Sequence, residues 1–186
     1  MQKIKILEYS IHVSLAKLII EVMTYRASLD KTSKTVTVVI SLLFLCILVF
    51  QFTNYLLYHD WAALATASLL IIIYFITYLY RPVCYCIENN KIVVHRPASD
   101  ITILRSDVKK VELINDNKLR GTIRTFGVGG LFGYFGQFIN TELGCMTWYA
   151  TKRSNESVLI ELTNNKKIIV TPDEPQQFIN DLSLVA

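Results

Sequence analysis

The sequence predicts a membrane α-helical hairpin followed by a mainly β domain. Two observations carry this. Only 18% of the 186 residues are charged, against about 25% in soluble domains. The deficit is concentrated: between Thr35 and Tyr80 the only acidic or basic side chains are His59 and Asp60. From Arg81 onward charges return every few residues, in short segments of alternating apolar and polar character. The division this implies is an N-terminal segment over 1–34, a two-helix transmembrane hairpin over 35–80, and a β domain over 81–186.

The hairpin comes from two apolar runs. The first is Val36 to Phe52, continuing through Tyr58, and the second is Trp61 to Tyr80. At 1.5 Å per residue, about 20 residues cross a hydrocarbon core of about 30 Å. Their few polar residues, among them Ser41, Gln51, Thr66, Ser68 and Thr77, are uncharged. The joint around His59 and Asp60 is short, so the spans run antiparallel and both ends lie on one side. The flanks carry Lys3, Lys5, Lys17, Arg26, Lys31 and Lys34 before the first span, and Arg81, Lys91 and Arg96 after the second. The joint carries no lysine or arginine, so the positive-inside rule places both termini in the cytoplasm. Tyr55, Tyr58 and Trp61 form an aromatic belt at the outer surface, and Tyr74, Tyr78 and Tyr80 begin one at the inner surface. The first run starts too far into the chain, and lacks a small-residue cleavage site, to read as a signal peptide.

The first 34 residues leave alternatives open. Ile4, Ile6, Tyr9, Ile11 and Val13 alternate, whereas Leu15, Leu18, Ile19 and Val22 form a helical stripe. An amphipathic helix on the membrane, a helix packed on the β domain, and a start at Met23 all fit. Asp30 to Lys34 reads as a polar linker.

In the β domain, Val83–Glu88, a turn at Asn89-Asn90 and Lys91–Arg96 form a hairpin. Ile101–Leu104 and Val108–Ile114 add two strands, and Asn115 to Lys118 is a loop. Strands resume at Cys145–Lys152, Ser157–Leu162 and Lys167–Thr171, with a turn at Asn164-Asn165. A capping box at Thr171-Pro172-Asp173-Glu174, or a cap at Asp173, opens a helix with an apolar stripe of Phe178, Ile179, Leu182 and Val185.

Four strands, an interruption, three strands and a helix match a seven-stranded bent sheet or barrel closed by a C-terminal helix. The segments CYCIENNKIVVHRP, ITILRSDVKKVELI, RTFGVGGLFGYFGQF and VLIELTNNKKIIVTPDEPQQFINDL carry the comparison. Over roughly Val83 to Leu182 they resemble the bacterial PH-like (pleckstrin-homology-like) domain proteins, many of which follow a two-helix membrane hairpin. The resemblance implies a PH-like fold and a bacterial inner-membrane setting. It implies no activity, because one fold hosts many roles. PH domains that bind phosphoinositides usually present basic residues at the first hairpin. Here that turn is Glu88-Asn89-Asn90-Lys91, nearly neutral, so that function is not carried over.

The most distinctive stretch places Gly127, Gly130, Gly133 and Gly136 three residues apart among aromatic residues. It lacks the strand–glycine–helix context of a dinucleotide loop and the lysine of a phosphate loop. Two readings remain. It is a long loop folded back on the barrel, its rings in the core, or an apolar loop that touches the bilayer or a partner. The second reading names Arg120, Arg124, Phe132, Tyr134, Phe135 and Phe138 as interface residues, with Lys118 beside them for anionic head groups.

The four cysteines form no disulfide framework or metal array by spacing. Cys84 and Cys86 point to one face of a strand and read as small buried hydrophobes rather than as a redox or metal pair. His12, His59 and His95 are scattered, and His95 reads as an ordinary strand residue. No nucleophile, base and orienting acid can be grouped. The net charge of +4 makes no case for nucleic acid. The expectation is a non-enzymatic, membrane-anchored binding or assembly module, with no cofactor and no metal. Its partners would be membrane lipid, and a protein or further copies of itself. The alternative is an accessory or regulatory subunit of a membrane transporter or envelope enzyme.

Overall fold

A computed structural model describes residues 23–88, 90–153 and 156–184. The described residues open with strand β1 (Met23–Arg26), then two long helices, α1 (Lys31–Tyr58) and α2 (Trp61–Leu79). Both are long and apolar enough to cross a membrane. Strands β2 (Cys84–Glu88), β3 (Lys91–His95) and β4 (Ile101–Leu104) follow. A 3-10 turn leads to β5 (Val108–Ile114) and a single-turn helix α3 (Asp116–Leu119). Then come β6 (Ile123–Gly130), β7 (Gly133–Asn140), β8 (Gly144–Ala150), β9 (Ser157–Leu162), β10 (Lys167–Val170) and helix α4 (Pro175–Leu184).

The strands form two sheets, ordered β1-β2-β3-β4 and β5-β9-β10-β8-β7-β6. The larger sheet is apolar on both faces because its strands alternate two buried sets of side chains. Val158, Ile160, Ile168 and Val170 face one core, shared with Tyr85, Ile92 and Val94 of the smaller sheet and Phe178 of α4. Leu159, Ile169, Met146 and Trp148 face a second core with Ile114, Leu119 and Phe138. Tyr85 crosses between the sheets. Its hydroxyl donates to the Tyr149 carbonyl at 2.6 Å and accepts from the Thr171 N–H at 3.3 Å.

The two apolar helices, the mainly β domain and the C-terminal helix are as expected, and most strand boundaries fall within two residues. Besides the single-turn helix α3, which replaces most of the expected loop at Asn115–Lys118, four features differ. First, the glycine-rich stretch is a β-hairpin, not a loop. Gly127, Gly130, Gly133 and Gly136 have φ between 115° and 122°, an extended conformation that side chains rarely adopt, so the strands carry no ordinary alternation. With these two strands and β1, the described residues hold ten strands rather than seven. Second, β1 lies before the helices yet pairs with β2, Tyr25 opposite Tyr85, so the smaller sheet draws on both sides of the hairpin. Third, the expected linker Asp30–Lys34 is the start of α1: Asp30 caps it, accepting from the Ser33 N–H at 2.6 Å. Fourth, α4 starts at Pro175 rather than Pro172. Asp173 is engaged elsewhere, and Pro175 takes the first helical position. Residues 1–22, where the N-terminal readings fall, lie outside the described residues.

Candidate functional site at the base of the helical hairpin

The site is built where α1 and α2 meet the β domain. The chain enters α1 through Ser28, whose N–H and hydroxyl both donate to the Asp173 carboxylate, at 3.2 and 2.6 Å. The Ser28 carbonyl accepts from the Thr151 hydroxyl at 2.9 Å. The capping residue Asp30 also accepts from the Arg153 N–H at 3.0 Å. Burial works to raise the Asp173 carboxyl. The Ser28 donors and the Lys152 ammonium at 3.0 Å outweigh it and hold the group below the ordinary carboxylate range. The chain leaves α2 with the Leu79 carbonyl accepting from the Ala98 N–H at 2.9 Å.

The β6–β7 turn closes the junction. Gly130 and Gly133 are paired, leaving Leu131 and Phe132 as a two-residue loop. Phe132 sits at φ 58° and is buried. Its N–H donates to the Thr37 hydroxyl of α1 at 2.9 Å. Its ring meets Tyr74 and Tyr78 of α2 edge-on, with centroids 5.3 and 5.5 Å away, a favourable geometry for aromatic quadrupoles. The Arg81 guanidinium lies 4.3 Å from the Tyr78 ring and 5.8 Å from Phe132. Gly130 is required here because a Cβ would stand 3.1 Å from the Val36 side chain, at φ 115°.

Beside this turn lies a cleft of about 280 Å³, lined by Ser28, Lys34, Arg81, Phe132 and Thr151 among others. Two cations therefore border it, and the Arg81 Nε is buried without a hydrogen-bond partner among the described residues. Chemically, the cleft offers donors and positive charge over an aromatic floor, which suits an anionic group.

The interface residues expected from sequence are separated. Phe132 belongs to the junction. Tyr134 is buried beneath the Arg153 guanidinium at 5.5 Å. Phe138 stacks on Trp148 in the core, centroids 4.7 Å apart. Phe135 is buried as well. These rings are covered by the protein itself, so they form no free apolar loop. Arg120 and Arg124 are exposed, but Arg120 lies at the opposite end of β6 from Phe132. The seven steps of β6 separate those ends by about 23 Å. Asn140 holds the Arg120 end, its amide donating to the Lys118 and Arg120 carbonyls and the Thr122 hydroxyl at 3.0–3.2 Å. Arg124 lies with its guanidinium along Gly129, and the cations that border the cleft are Lys34 and Arg81. Their position flanking the two apolar runs was the available signal.

Sequence reasoning also missed an exposed row on the larger sheet. Ile123, Phe126 and Ile139 are 66%, 78% and 40% exposed. Ile123 and Ile139 are cross-strand partners, and Phe126 follows on the same face after an irregularity in register.

A family model described as a bacterial PH domain matches residues 83–185, more than half of the chain. The chain belongs to the bacterial PH domain family. The matched part of this PH domain begins one residue before β2, so β1 and both apolar helices lie outside it. No curated protein and no solved structure matches the chain.

Proposed function

We propose that this PH domain protein is a non-enzymatic binding or assembly module, anchored in the bacterial inner membrane by α1 and α2 with both termini cytoplasmic. One observation carries the reading: the β6–β7 turn is seated on both helices through Phe132. Side chains along the helices, such as Leu43, Phe50, Leu57, Ile72 and Phe75, are about half or more exposed, which favours lipid around them. The 28 residues of α1 span about 42 Å and the 19 of α2 about 28 Å, enough to cross a hydrocarbon core of about 30 Å. The Phe132 junction then lies at the cytoplasmic surface, and the Lys34–Arg81 cleft takes an anionic phospholipid head group.

Native mass spectrometry of the protein released from nanodiscs tests this. Retention of phosphatidylglycerol over phosphatidylcholine, lost in Lys34→Ala/Arg81→Ala, is expected. Equal retention of both lipids by the parent protein, or an unchanged preference in the variant, would refute the head-group assignment.

The exposed row Ile123, Phe126 and Ile139 favours a second reading, an accessory subunit that docks a membrane transporter or envelope enzyme through edge strand β6. Stable co-purification of one such protein, lost in Phe126→Asp, would support it. No change in co-purifying proteins would count against it.

A further inference from the structure

The smaller sheet brings His95 to the Cys84–Cys86 pair, which spacing alone does not do. Cys84 and Cys86 alternate onto one face of β2. The β2–β3 register sets His95 directly opposite Cys84. One ligand atom from each residue, two sulfurs and one imidazole nitrogen, lie within 4.8 Å of one another. Zinc–sulfur bonds of about 2.3 Å and a zinc–nitrogen bond of about 2.0 Å put ligand atoms roughly 3.5–3.8 Å apart in a tetrahedron. Side-chain rotation of about 1 Å therefore closes the triangle.

The surroundings suit such a centre. Cys86 is buried while Cys84 and His95 are half-buried, so the site is backed by protein on one side and reachable on the other. His95 Nδ1 stands 3.0 Å from Asp100 Oδ2. In the neutral imidazole, Nδ1–H donates to that carboxylate and Nε2 keeps its lone pair. Carboxylates orient metal-binding histidines in this way. The Thr24 hydroxyl of β1 lies 3.3 Å from the Cys86 sulfur and can donate to a thiolate there. Two thiolates and one neutral imidazole are a soft donor set, which selects zinc-class ions over magnesium or calcium.

We propose that Cys84, Cys86 and His95 bind one thiophilic divalent cation of the zinc class, with the fourth position taken by solvent. Binding displaces one proton from each thiol, leaving a neutral centre of two thiolates and one divalent ion. The ion pins β2 to β3 beside β1, the strand that leads into α1. Asp100 is a positioning residue.

The test titrates Co(II) into the full-length protein, held in detergent under reducing, oxygen-free conditions. One equivalent should bind with a thiolate-to-cobalt charge-transfer band and tetrahedral d–d bands, both abolished by adding Zn(II). Cys84→Ser and Cys86→Ser should each lose the charge-transfer intensity of one sulfur and bind more weakly. His95→Ala should shift the d–d bands. Asp100→Asn should keep the spectrum and weaken binding about tenfold to a hundredfold. Cys46→Ser/Cys145→Ser should bind as the parent does, which also controls for folding. No charge-transfer band in the parent protein, or an unchanged band in Cys84→Ser/Cys86→Ser, would overturn the proposal.

Discussion

The Phe132 N–H and the Thr37 hydroxyl, 95 positions apart in sequence, meet at 2.9 Å. This contact joins the tip of a β-hairpin to the first turns of an apolar helix, so the domain is seated on the helical pair as well as tethered to it.

Removing the Phe132 ring empties the space between Tyr74 and Tyr78. Phe132→Ala should destabilise the protein by about 3 kcal/mol. Phe132→Gly should be no worse, since glycine carries no penalty at φ 58°. Thr37→Val should cost about 1 kcal/mol for the lost hydrogen bond. Thermal unfolding in nanodiscs measures all three, and Phe132→Ala should also speed proteolysis near the junction.

Gly127 and Gly136 face each other across the β6–β7 ladder. A Cβ on Gly127 would stand 2.3 Å from the Phe135 carbonyl oxygen, and one on Gly136 2.4 Å from that of Phe126. Backbone on both sides cannot yield, so either alanine substitution should cost about 3 kcal/mol or more. Gly144→Ala is the comparison. Its Cβ would meet nothing within 4 Å, at φ 71°, so it should cost only the left-handed penalty of about 1–2 kcal/mol. Gly144→Ala should therefore keep the highest denaturant midpoint of the three variants.

The Asp173 clamp sets a pH dependence. Its carboxyl is held lower in the folded chain than in the unfolded one. Its contribution is therefore fully present above the ordinary carboxylate value of about 3.9, and is lost as the pH falls through the folded value. Asp173→Asn should lower the melting temperature at pH 7, and its deficit against the parent should shrink as the pH approaches 3.

The orientation proposed for the hairpin puts His59 outside and Asn165 inside. With Cys46 and Cys145 replaced by serine, a membrane-impermeant thiol reagent should label His59→Cys in intact cells. Asn165→Cys should need permeabilised cells. The opposite pattern would reverse the topology.

Much of the fold was legible because local chemistry and tertiary structure agreed. Ile101–Leu104, Val108–Ile114 and Ser157–Leu162 alternate or pack apolar residues as strands do, and Asn165 turns with φ 61°. β1 was not legible, since Met23–Arg26 is four residues whose partner lies beyond two long helices. The β6–β7 hairpin was hidden by glycines that replace alternation with a backbone conformation only they adopt readily. Which aromatics are covered was equally hidden. Phe132 and Phe126 look alike in sequence, yet one is wedged between two tyrosines and the other is exposed.

That two apolar helices precede a PH domain could be read along the chain alone. A charge-free run and a set of strand patterns are local properties, written in consecutive residues. It took the folded chain to bring Phe132 to Thr37, to set Lys34 and Arg81 beside the junction and to place His95 across from Cys84. Those are relations of register and close approach between distant segments, and no spacing along the chain encodes them.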